Sequence, residues 1–255
     1  MKKAMSVAMV AAFLAACGDG TGPGGAQISL SFSSQSPGAV SASSQGMFLS
    51  AAAGAPITDG QNELVISKAE VVLREIELKR IETVDCDTAV DEDACEEFET
   101  GPVLLELPLD GGTSQQVTIP IEPGTYDELE FEIHKVSGDD AEDAVFVAAH
   151  QHMADLSIQV QGTFNGQAFT YQTDLDVEQE FDLADPIVID ENTPSTNVTV
   201  RMDLAAWFRD GSGALVNPSL GNKGGDYESL VKENIKQNIE AFEDRDRDGD
   251  DRDEG

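Results

Sequence analysis

From Ile28 to Leu204 the chain repeats one device: short runs of alternating apolar and polar residues, each closed by Gly, Pro, Asn or Asp. Alternation at period 2 places one set of side chains on a single face, the signature of a half-buried strand. The runs are Ile28–Phe32, Val103–Leu107, Gln116–Ile121, Tyr126–Val136, Val145–Ala149, Leu156–Thr163, Ala168–Thr173, Val177–Leu183, Ile187–Ile189 and Asn197–Leu204. Asn165-Gly166 joins two of them in a two-residue hairpin, because both residues tolerate positive φ. Glu122-Pro123-Gly124-Thr125 reads as a type II turn, with Pro at its second position and Gly at its third. Asn62–Thr83 is the densest apolar stretch: Leu64 and Ile66 share one phase, Val71 and Leu73 the other, and Ile76 and Leu78 return to the first. Its β-branched content and double phase switch predict a long bulged strand or two strands rather than a helix. Strands at this spacing define a mainly β fold, an antiparallel β-sandwich.

The pattern changes after residue 204. Ala205-Ala206-Trp207-Phe208 is an apolar knot, expected to cap one end of the core. Asp226 can serve as N-cap of a C-terminal amphipathic helix over 226–242, with Leu230, Val231, Ile235, Ile239 and Phe242 along one stripe. From residue 243 the chain is almost wholly charged and reads as a disordered acidic tail, 243–255.

The start of the chain says where the protein lives. Lys2 and Lys3 precede an apolar run, Met5–Ala16, which ends in Leu14-Ala15-Ala16-Cys17. A basic start, a short apolar stretch and small residues before a cut form a secretory signal peptide, and about twelve residues are too few to span a bilayer. The four residues ending at Cys17 resemble a bacterial lipobox. That resemblance implies cleavage before Cys17, lipid on its sulfur and a palmitate-type membrane anchor. It places the protein in the cell envelope; Gly18 after the cysteine resembles the default signal for an outer membrane where one exists. Residues 17–46, rich in Gly and Ser, are expected to form a flexible tether that already contains the Ile28–Phe32 run, with the sandwich domain occupying 47–225. The whole plan resembles bacterial lipoproteins in which a tether carries a transthyretin-like or immunoglobulin-like sandwich.

Charge narrows the partners. Against 15 Lys plus Arg stand 49 Asp plus Glu, for a net charge of −34. Such a chain repels phosphate backbones, so nucleic acid is excluded as a partner. An envelope protein or a polysaccharide is the partner class left open, beside the membrane reached through the Cys17 lipid. Of three cysteines, Cys86 and Cys95 are an even pair in an oxidising setting and are expected to form a disulfide, closing a loop of about ten residues; a two-Cys zinc half-site is the alternative.

Motifs for catalysis are sparse. Gly-X-Ser-X-Gly and a phosphate-cradling Gly loop with Lys are missing. The sequence therefore reads as a non-catalytic binding or structural module. The alternative is an exported metal-dependent enzyme using His134, His150 and His152, with Asp155 near the latter pair. The clearest ligand spacing lies at the C-terminus. Asp244, Asp246, Asp248, Gly249 and Asp250 match positions 1, 3, 5, 6 and 7 of an EF-hand loop. Position 12 is Gly255 rather than a bidentate Glu, and no exiting helix follows. The stretch therefore resembles the Asp-rich calcium loops found outside true EF-hands, which implies weak calcium binding; a solvated acidic tail is the other reading.

Overall fold

The computed structural model describes residues 26–34, 54–81 and 101–249. Cys17, Cys86, Cys95 and Asp250 lie outside the described residues, as do the leader and most of the tether. Among the described residues, eleven strands form two sheets. The first has the order β11-β10-β1-β5, from β1 (Gln27–Ser33), β5 (Thr113–Pro120), β10 (Ser195–Met202) and β11 (Ile239–Glu243). The second has the order β8-β7-β3-β6-β9, from β3 (Glu63–Arg80), β6 (Gly124–Ile133), β7 (Ile158–Phe164), β8 (Gln167–Thr173) and β9 (Val177–Ile189). Two short strands, β2 (Ile57–Thr58) and β4 (Val103–Glu106), pair with β3. The pairings are antiparallel except one: β1 and β10 run parallel, with Gln27 opposite Ser195 and Ser33 opposite Arg201. Apolar residues of both sheets, including Ile28, Leu30, Phe32, Val198 and Val200 with Leu64, Val71, Leu129 and Phe131, join one buried cluster, the layered arrangement of a sandwich.

The phase switches of the long apolar stretch are bulges in one continuous strand. In β3 the register slips between Ile66 and Lys68 against β7, and between Arg74 and Glu77 against β6. Glu75 takes φ 50° at the second slip. Each extra residue returns the apolar set to the core, so Leu64, Ile66, Ala69, Val71, Leu73, Ile76 and Leu78 are all buried. Opposite the first bulge, Gly162 lies so close to β3 that a Cβ there would sit 2.0 Å from the Val65 carbonyl oxygen. The Asn165-Gly166 hairpin forms as expected, with φ of 51° and 76°.

Several expectations are corrected. Val145–Ala149 is not a strand: Ala144–Ala149 forms helix α1, whose Val145 is exposed while Phe146 packs beneath it with Val72, Val136 and Met153. This Ala-rich segment has no strand partner, so local helix formation wins. The helix expected over 226–242 is shorter. α3 spans Glu228–Gln237, starts after Tyr227 rather than Asp226, and buries Val231 and Ile235. Ile239–Glu243 leaves the helix and pairs with β10, because the edge of that strand offers a ladder that a further helical turn could not match. The acidic tail accordingly does not begin at 243: Glu243 is in β11 and Asp244 is 1% exposed. The strand expected at Ile28–Phe32 within the tether does form, as β1, and its serines are buried along with its apolar residues. Gly124 is not in the left-handed region that a type II turn requires; it opens β6 against the Arg80 side chain. The apolar knot behaves as expected. α2 (Leu204–Trp207) is capped by Asp203 and buries Trp207, while Phe208 meets Tyr171 edge-on at 5.2 Å.

Candidate metal centres

Among the described residues, three groups of His or carboxylate side chains place their ligand atoms within 4.8 Å of one another. The first is the C-terminal loop. β1 and β10 turn Ile28, Leu30, Phe32, Val198 and Val200 inward, so period 2 sends Ser29, Ser31, Asn197, Thr199 and Arg201 to the outer face. Those polar residues are nonetheless buried. The segment after β11 folds back across this face. Asp244 N–H donates to the Asn197 carbonyl at 2.9 Å, and the Asn197 amide returns a bond to the Asp244 carbonyl at 3.0 Å. Thr113 Oγ1 donates to the Arg247 carbonyl at 2.8 Å.

Around Asp244 the loop closes on itself. Its Oδ1 accepts from Asp248 N–H at 3.2 Å, and its Oδ2 from Gly249 N–H at 3.1 Å and from Thr199 Oγ1 at 2.6 Å. A carboxylate offers about four lone-pair sites, so an Oδ1 position is left for a cation. Asp246 and Asp248, both exposed, bring their carboxylates to the same point. Gly249, at φ 85°, makes the sharp turn that the sequence spacing anticipates. The structure thus assembles three of the four aspartates singled out in the sequence, on a loop already held to the sheet.

The second group was not legible in advance. Cross-strand register places Glu132 opposite Glu178 and Ile133 opposite Val177, which brings His134 to Asp176 one step further on. His134 Nδ1 lies 3.5 Å from Glu132 Oε2 and 3.8 Å from Asp176 Oδ1. Its other nitrogen, Nε2, bonds to both oxygens of Asp143 at 2.9 and 3.0 Å. Asp143 is 1% exposed and also accepts from Ser137 N–H at 2.7 Å. It arrives there because residues 134–157 leave and rejoin the sheet at one point. His134 N–H donates to the Val72 carbonyl, and Val72 N–H to the Ser157 carbonyl. Burial, with a hydrogen bond shared with Asp176, pushes the Glu132 carboxyl up, against the pull of Arg74 at 3.1 Å.

The third group, Glu130, Glu178 and Glu180, lies on the same outer face of β6 and β9. Here like charges stand opposite one another, Glu128 facing Asp182, Glu130 facing Glu180 and Glu132 facing Glu178. Directly opposed like charges destabilise a sheet. Lys79 on β3 offsets part of this by pairing with Glu128 at 2.9 Å and with Glu130. Sharing a hydrogen bond with Glu130 pushes the Glu178 carboxyl up to about 7.

The three histidines do not converge, which corrects the metal-enzyme set of His134, His150 and His152. His152 Nε2 bonds Glu70 Oε1 at 3.1 Å, and His150 packs on Phe146 with ring centroids 4.7 Å apart. Burial works against the Glu70 charge, but hydrogen bonds from Lys68, His152 and Gln159 win and hold its carboxyl below the ordinary range. Asp155 joins none of these groups; it takes φ 61° at a turn and its N–H bonds the Val136 carbonyl. A surface depression lined by Asp59, Gln61, Asn62, Ser212, Gly213 and Ala214 is no better a centre. Its one acid, Asp59, is committed to the Asn62, Gln61 and Leu215 N–H groups, which hold it well below the usual carboxylate range.

Fold and sites together define a mainly β, sandwich-like protein with clusters of acidic side chains on the outer faces of both sheets. Comparison with protein-family models, curated proteins and solved structures returns no match for this chain.

Proposed function

We propose that the protein is a non-catalytic module of the cell envelope, held to the membrane through a lipid on Cys17 and binding calcium through its C-terminal aspartate loop. The carrying observation is the buried Asp244. It anchors the loop by three accepted hydrogen bonds while Asp246 and Asp248 converge on it. Hard oxygen donors of this kind suit calcium, which takes six to eight oxygens at about 2.3–2.6 Å. Carbonyls and waters complete the shell. A loop fixed in advance to β1, β5 and β10 has already met much of its ordering cost, so affinity belongs at the tighter end of weak extracellular modules, about 10⁻⁴ M. Such a site fills where calcium is millimolar, outside the cytoplasm. Lys2, Lys3 and the Leu14-Ala15-Ala16-Cys17 order support that setting.

Calorimetry on the mature chain and on a double variant, Asp246→Asn with Asp248→Asn, tests the calcium reading. Both positions are exposed, so the variant retains the fold. A calcium heat in the parent that vanishes in the variant is the expected result. Equal heats in both would remove calcium from this loop.

A further inference from the structure

The feature left without a role by calcium binding is an imidazole nitrogen. His134 is 6% exposed, and its Nδ1 is buried with no hydrogen-bond partner. It faces two carboxylate oxygens, one from Glu132 and one from Asp176. We propose that Glu132, His134 Nδ1 and Asp176 form a site for a divalent transition-metal ion, zinc in the first instance, separate from the C-terminal calcium loop.

The second nitrogen fixes the chemistry of the first. Nε2 touches both oxygens of a buried carboxylate that can only accept, so Nε2 carries the proton. In the neutral ring the lone pair is then on Nδ1, facing the Glu132 and Asp176 carboxyl oxygens. A cation held between the three satisfies the nitrogen and both oxygens at once, with no proton needed among them. The Asp143–His134 pair is the carboxylate–histidine relation that orients metal-bound imidazoles and raises their basicity. Ser137 N–H in turn holds Asp143.

The spacing is close to that of a bound ion. Bonds of 2.0–2.2 Å about a tetrahedral ion put ligand atoms roughly 3.3–3.6 Å apart; Glu132 stands 3.5 Å from Nδ1, inside that window, and the exposed Asp176, at 3.8 Å, has only a small distance to close. Asp176 is half exposed, which gives the ion a path in and leaves room for water at the fourth position. Arg74 opposes a cation here. Its charge, however, is divided among Glu132 at 3.1 Å, Glu75 at 3.0 Å and Glu142 at 3.8 Å. Glu178, directly across from Glu132, adds a further acid. A nitrogen ligand with two carboxylates favours zinc, or a similar borderline ion, over calcium. Bound there, the ion would tie β6 to β9 and, through Asp143, to the segment that leaves the sheet at Val72.

The test is zinc titration of the chelator-stripped mature chain, followed by calorimetry and by the ¹⁵N shift of His134 Nδ1. One equivalent of zinc with a coordination shift at Nδ1 is expected. Asp176→Asn changes only an exposed ligand and should weaken zinc roughly tenfold or more. His134→Gln should abolish stoichiometric binding, with circular dichroism checking that it folds. The Asp246→Asn, Asp248→Asn variant should bind zinc as the parent does, which keeps failure at one site distinct from failure at the other. No stoichiometric zinc in the parent, an Nδ1 shift unmoved by zinc, or zinc binding insensitive to Asp176→Asn would each overturn the proposal.

Discussion

Thr199 Oγ1 donates a 2.6 Å hydrogen bond to Asp244 Oδ2, tying the middle of β10 to the first residue beyond β11. Both residues are buried, at 0% and 1% exposure. One bond therefore links the outer face of the four-stranded sheet to the aspartate loop, and sheet stability to the geometry of the proposed calcium site.

Thr199→Val should test that link. The substitution keeps the side-chain shape but removes a donor from a buried carboxylate, costing about 1–3 kcal/mol. Urea denaturation in chelator should show the loss, and calcium should restore part of it by binding the folded state. A variant as stable as the parent in chelator would mean that the bond does not anchor the loop.

Glu178 makes stability depend on pH near neutrality. Its folded carboxyl is pushed up to about 7 from an ordinary 4.5 by sharing a hydrogen bond with Glu130. A raised folded value means that the folded state holds the proton more tightly than the unfolded chain does. The contribution is complete below pH 4.5 and is lost as pH rises through about 7. Glu178→Gln keeps a neutral partner at every pH. Melting temperatures from pH 5 to about pH 8 should fall less in the variant than in the parent; parallel curves would exclude the shared proton.

Gly162→Ala should be severely destabilising. The added methyl would lie 2.0 Å from the Val65 carbonyl oxygen and 3.0 Å from the Phe169 ring. Backbone must move where β7 crosses the first bulge of β3, at a cost of about 3 kcal/mol or more. Chemical denaturation of the variant measures this directly, and a loss below 1 kcal/mol would mean that the bulge is soft.

Processing at Cys17 should govern localisation. Mass spectrometry of the mature N-terminus should find a lipidated Cys17, and Cys17→Ser should block normal processing and release the protein from membranes. An unmodified terminus would remove the anchor from the proposal.

What the sequence determined by itself was local. Alternation at period 2 marked most of the strands, because facing is set by the pleat of each strand alone. Two phase switches announced the bulges of β3, and Asn165-Gly166 announced its hairpin, since positive φ is a property of the residues concerned. The Asp244, Asp246, Asp248 spacing was legible for the same reason: a loop brings near neighbours together whatever else the chain does. Tertiary structure decided whatever needed a distant partner. Ile239–Glu243 has helical spacing and becomes a strand because β10 has an open edge. Val145–Ala149 has strand-like content and becomes a helix because no ladder reaches it. His134 meets Asp176 through the β6–β9 register and Asp143 through a departure from the sheet at Val72. Asp244 is buried only because β1 and β10, far apart in sequence, lie side by side and present a polar face for its loop to cover. Local pattern sets which way each side chain faces; strand pairing across the whole chain sets what it faces.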